Sequence, residues 1–150
     1  MIHQTEALLR LAARPCEEYH IHHSHPDFTR LQDRAVILKR ILCKIPDEIT
    51  TDRHSFLDRV KEIAIAIKDV LESISDVFRL YSRETRKQLD FHKRDFVKYS
   101  KSFSDTLKLY FRDGKGHSVF NSAERLVMQT DIILVALKQT TPDKINREHY

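Results

Sequence analysis

Helix breakers are almost missing from this sequence. Its 150 residues hold two glycines, Gly114 and Gly116, and four prolines, Pro15, Pro26, Pro46 and Pro142. Glycine ends helices through its backbone freedom, proline through its missing N–H and fixed φ. Long helical stretches are left between these six positions. No run alternates apolar and polar residues as a half-buried strand does, and no Asn-Gly hairpin signal occurs.

The apolar spacing fills those stretches. From Asp27 to Lys44, apolar residues recur every three or four positions through Phe28, Leu31, Ala35, Leu38, Ile41 and Leu42, and Pro46 ends the helix. "DEITTD" reads as a turn with Thr50 or Thr51 as N-cap. A second helix is expected from about Asp52 to Tyr81, and "YSRETR" as a short connection. Phe96, Tyr99, Phe103, Leu107 and Tyr110 mark the third helix, which "RDGKG" stops. Ser118 caps a fourth, whose face runs from Val119 through Leu126, Ile133 and Leu137 to a stop at Pro142. Four helices with short joins predict an all-α, antiparallel up-and-down four-helix bundle over residues 26–141. "TEALLRLAARPCEEY" predicts a short linker helix in an arm over residues 1–25, and residues 142–150 read as a disordered tail.

Composition narrows the function classes. Apolar residues make up 41% and charged residues 32%, the balance of a globular chain. No apolar run approaches the roughly 20 residues of a membrane span, and the N-terminus lacks a secretory pattern. Cys16 and Cys43 are too few for a disulfide framework and suit reduced thiols. The formal charge of +4 is too small to imply nucleic acid. Its distribution is uneven: Arg86 to Lys115 holds nine Lys/Arg against four Asp/Glu, a local net of +5.

Signals of catalysis are sparse. Two glycines cannot build a phosphate-cradling loop, and neither GxSxG nor HExxH occurs. The metal candidate is "HIHHSH", with His20, His22, His23 and His25. A built metal site has ligands fixed by separate elements and oriented by outer hydrogen bonds, so this run reads as a solvated linker, with no metal or cofactor expected.

A strip on the second helix is less easily dismissed. On a helical wheel Phe56, Val60, Ile63, Ile67, Val70, Ile74 and Phe78 form the core face, while Leu57, Lys61, Ala64, Lys68 and Leu71 line up beside it. Ile65 and Ala66 fit neither strip and fall on the solvent side. The third helix repeats the order apolar, Lys, small, Lys, apolar with Val97, Lys101, Ser104, Lys108 and Phe111. If both strips flank one seam, they form a groove floored by Ala64 and Ser104 and framed by four lysines. Such a groove suits a short, acidic amphipathic helix with leucines on one face. Snorkelling surface lysines, with alanine as packing filler, explain the same strips equally well.

"KIPDEI", "VKEIAIAIKD" and above all "FVKYSKSFSDTLKLYF" before "RDGKG" closely resemble the programmed cell death protein 10 family, also called the cerebral cavernous malformations 3 proteins. The likeness runs from about Thr5 to Leu137 and lies in that family's C-terminal domain. It implies a bundle similar to the focal-adhesion-targeting domain of focal adhesion kinase. It further implies a non-catalytic adaptor that binds leucine-and-aspartate-rich LD-type helices of paxillin and of malcavernin, and that contacts striatin-type scaffolds. The family's groove lysines fall on Lys61, Lys68, Lys101 and Lys108, and its small floor positions on Ala64 and Ser104. The resemblance also implies phosphoinositide binding, which the basic third helix could serve through Lys93, Arg94 and Lys98. The implied location is cytoplasmic, with peripheral association at plasma membrane and Golgi. Ste20-type kinases are implied as partners only through the family's N-terminal dimerisation domain.

Overall fold

The computed structural model describes residues 25–49, 53–140 and Pro142. Among the described residues five helices follow one another: α1 (Pro26–Cys43), α2 (Ile45–Glu48), α3 (Arg53–Phe78), α4 (Arg83–Asp113) and α5 (His117–Gln139). The four long ones form the expected bundle, and α2 is a single turn at the first corner. The expected arm lies outside the described residues, except at His25. The tail expectation also falls outside them, except at Pro142, which is buried.

Local chemistry explains the helix ends. His25 is the N-cap of α1, its Nδ1 accepting the Asp27 N–H at 3.1 Å, and Pro26 takes a first-turn position where its missing N–H costs nothing. Pro46 does end the preceding helix, yet it also opens α2, so Asp47 and Glu48 are helical rather than part of a turn. Thr50 and Thr51 lie outside the described residues. Ser82 accepts the Thr85 N–H at 3.2 Å, so α4 starts at Arg83 and takes in four residues read from the sequence as connection. At α5 the expected Ser118 cap is wrong: Gly116 occupies the N-cap position, no side chain caps it, and the helix starts at His117.

Side-chain links, taken with the short joins, show that consecutive long helices run antiparallel. Arg34 on α1 donates to Ser73 Oγ and the Asp69 carbonyl on α3, and Ser75 on α3 accepts from Lys93 on α4. Thr106 on α4 meets Ser122 on α5 at 2.7 Å, while Gln129 donates to the His92 carbonyl at 3.2 Å. The core holds Phe28, Phe56, Phe96 and Phe103, all essentially without exposed surface. Each such side chain stabilises the fold by about 1.5–3 kcal/mol. The α5 face is buried as the spacing predicts, and four of the five α4 core positions are, Tyr99 being half-buried. On α3, Val60 and Ile67 are only half-buried, whereas Ala66, expected on the solvent side, is buried.

That last difference follows from how the helices pair. α3 packs mainly on α1 and α4 mainly on α5, with α1 also against α5. α3 and α4 meet only lightly. The core face of α3 is therefore rotated toward α1, which brings in Ala66 and leaves Ile67 at the edge of an open seam.

Candidate peptide-recognition groove

The α3–α4 seam is closed at both ends and open between them. At one end Lys93 Nζ donates to Ser75 Oγ at 2.9 Å and lies 6.0 Å from the centre of the Phe78 ring. At the other, the Phe56 ring meets Tyr110 edge-on at 5.4 Å and Phe111 at 5.9 Å. The Tyr110 hydroxyl donates to the Ile49 carbonyl at 3.0 Å and anchors that end to the corner after α2. From Phe56 to Ser75 the helix rises about 28 Å, room for a partner helix of several turns.

A cavity of about 500 Å³ lies between these closures. Ala64, Ile67 and Leu71 line it from α3, and Val97, Ser100, Lys101, Ser104, Asp105 and Lys108 from α4. Six of the ten residues singled out by the two strips are thus brought to one concave surface. Lys61 and Lys68 are exposed on the same side of α3 but stand outside the lining. Leu57 is exposed near the start of α3, and Phe111 packs on Phe56 and closes the groove instead of presenting a free rim.

Small side chains keep the floor low. Ser104 and Ala64 are exposed, and Ser100 turns its hydroxyl onto the Phe96 carbonyl at 2.8 Å, leaving no bulk above the backbone. The floor therefore admits close approach of an apolar side chain. Lys101 and Lys108 stand two helical turns apart on one wall, a spacing that presents two ammonium groups in the same direction. Ile67, Ser100 and Asp105 were missed by the strip reading. For Ser100 the signal was its four-residue spacing from Ser104, a small-residue pair on one face.

A second concavity, of about 580 Å³, lies where α3 ends and α4 begins. Arg79, Arg83, Arg86, Lys87, Lys93 and Arg94 surround it, against one carboxylate, Asp90, which Arg94 holds at 2.7 Å. Lys98, grouped with Lys93 and Arg94 in the sequence, stands apart, 5.8 Å from the Tyr99 ring. His92 nearby is held below the usual imidazole range by its burial, with Asp95 pulling the other way, so it adds little positive charge near neutral pH. Among the described residues no group of histidines, cysteines and carboxylates could hold a metal ion, and no helix is long and apolar enough to cross a membrane. His20, His22 and His23 lie outside the described residues.

Bundle and seam together define a class: an up-and-down four-helix domain whose α3–α4 seam is left open as a surface groove. The family model for the C-terminal region of programmed cell death protein 10 matches residues 2–90. A curated relative, a programmed cell death protein 10 homolog of Caenorhabditis elegans, is 41% identical over 121 residues, which is 81% of this chain and 54% of the relative. The chain belongs to the programmed cell death protein 10 family. It spans about half the length of the curated relative that it matches.

Proposed function

We propose that this chain is a non-catalytic adaptor domain that captures acidic, leucine-rich LD-type helices in the groove between α3 and α4. The observation that carries this reading is the single cavity joining Ala64 and Leu71 of one strip with Val97, Lys101, Ser104 and Lys108 of the other. A ligand helix would set leucines against the small-residue floor and leave its carboxylates beside the lysines. Lys61 and Lys68, outside the lining, would act on approach and at the rim. Partners of the paxillin and malcavernin types fit that chemistry, and the role proposed is assembly of such partners in the cytoplasm, with striatin-type scaffolds as further contacts.

A fluorescent LD peptide titrated against parent and Lys101→Glu/Lys108→Glu tests the assignment. Both lysines are exposed, so the fold should survive. Affinity should fall about tenfold or more, equivalent to at least about 1.4 kcal/mol. It should also weaken between low and high salt, since exposed charges are screened over about 10 Å at 0.1 M. Equal binding by the folded double variant removes the groove from consideration.

A second reading rests on the basic cleft. Six cations around one concavity favour an anionic headgroup, so peripheral binding to phosphoinositide-bearing membrane at the plasma membrane or Golgi is the alternative. Vesicle sedimentation should then rise with anionic lipid and be lost in Arg83→Glu/Arg86→Glu but not in the groove variant. Sedimentation independent of lipid charge rules it out.

A further inference from the structure

One face enters neither reading. Between α1 and α3, on the side of α3 away from α4, lies an apolar cleft of about 220 Å³. Ile37 and Ile41 of α1 and Ile65 and Ala66 of α3 form it, with Arg34, Glu62 and Asp69 at its edge. Ile65 is 61% exposed and Ile37 51% exposed, which is costly in water for branched apolar side chains.

The charges around this cleft are sorted by helix. Along α1 the row reads Arg30, Arg34, Ile37, Ile41, Lys44; along α3 it reads Asp58, Glu62, Ile65, Asp69, Glu72. Both rows step by four, three, four and three residues, so each lies on one helical face. Isoleucine stands at the middle of each, with cations flanking it on α1 and carboxylates on α3. Arg34 reaches the Asp69 carbonyl at 3.1 Å and Ser73 Oγ at 2.8 Å and ties the two rows together. The cleft that they line jointly puts Ile37 level with Ile65, and counting outward along antiparallel helices puts Arg30 level with Glu72 and Lys44 with Asp58.

We propose that this face is a homotypic interface, occupied by a second copy of the same chain. A two-fold axis running along the seam lays α1 of one copy over α3 of the other. Ile37 then stacks on the second copy's Ile65, Arg30 faces the second copy's Glu72, and Lys44 faces its Asp58. Every one of these contacts occurs twice. A partner helix of uniform charge is a poorer fit, because it would meet like charge on α1 or on α3. A second copy opposes both rows with the opposite sign. The interface would bury on the order of 500 Å² per copy, given the roughly 27 Å length of α1, so the dimer belongs to the weak class. Lys61 and Lys68 stay outside it, so the α3–α4 groove remains open in the dimer. The family's expected N-terminal dimerisation domain takes no part.

Sedimentation velocity of the 150-residue chain, from about 5 to 500 µM, reads this directly. The chain should shift from monomer to dimer with concentration, and less so at high salt. Ile65→Asp should raise the dissociation constant about tenfold or more with unchanged thermal unfolding, because the side chain makes little core contact. Arg30→Glu and Glu72→Lys should each weaken the dimer, and both in one chain should restore it by swapping the charges. A chain that stays monomeric throughout overturns the proposal. So does a dimer indifferent to Ile65→Asp, which would place the contact elsewhere. A monomeric chain that binds a synthetic basic leucine-rich helical peptide, with loss of binding in Ile65→Asp, also overturns it and assigns the face to a foreign helix.

Discussion

Lys39 carries an ammonium group to a position without exposed surface, where it pairs with Asp131 across the α1–α5 contact. Desolvating two charges costs nearly what their attraction returns, so the pair is worth little against a well-packed apolar substitute. Breaking it is another matter. Lys39→Met leaves the half-buried Asp131 carboxylate alone and should cost about 1–3 kcal/mol, while Lys39→Met/Asp131→Leu should recover most of that loss. Urea unfolding of both variants measures the difference. Burial holds the Asp131 carboxyl above its usual range, with the hydrogen bond and charge of Lys39 pulling it down. The folded chain thus binds this proton more tightly than the unfolded chain. Its stabilising contribution is full below the ordinary carboxylate value of about 3.9 and is lost as pH rises through the raised value. Asp131→Asn should flatten that fall in unfolding midpoints taken across the acid range. Nothing in the sequence marked either residue, since a lysine and an aspartate 92 positions apart carry no sign of being neighbours.

Element ends were legible wherever one residue type carries the whole mechanism. Gly114 follows α4 at φ 74°, a left-handed conformation, and its N–H bonds the Tyr110 carbonyl at 2.7 Å. An alanine there pays for its Cβ against the following carbonyl, so Gly114→Ala should cost about 1–2 kcal/mol. For a chain of this length that lowers the thermal midpoint by about 2–8 °C, measurable by circular dichroism. Pro46 was equally legible as a stop, though not as the opening of α2. Ser82 and Gly116 were not. Ser82 sits in a polar run that reads as a loop, and its role depends on its side chain reaching Thr85. Gly116 opens α5 with no cap, at a close approach where a Cβ would come 3.1 Å from Ile49 Cδ1. Such a position is selected by packing against another element, which a local pattern does not contain.

For the whole molecule, the consequential feature is unequal helix pairing. Because α3 leans on α1 and α4 on α5, the seam between α3 and α4 stays open along its middle. Ala64→Leu tests what that opening does. Ala64 is exposed, so the substitution should leave the thermal midpoint unchanged while filling the groove floor. Affinity for an acidic LD peptide should drop about tenfold with no change in charge. That outcome separates a shaped groove from general attraction by lysines.

The sequence by itself determined the fold class, the four long helices, most of their buried faces and the two strips that form the groove. These follow from periodicity and from sparse helix breakers, which act over a turn or two of backbone. Only the tertiary structure decided which helix leans on which. That choice buried Ala66, left Ile67 half-buried in the groove, turned Phe111 into its closure and kept Lys61 and Lys68 off its lining. It also placed Ile65 in a cleft with Ile37 and Ile41, between a cationic row and an acidic one. The physical reason is that a helical wheel gives a residue's angle about its own axis, whereas burial depends on the distance to a neighbouring axis. That distance is set by the packing of all four helices at once.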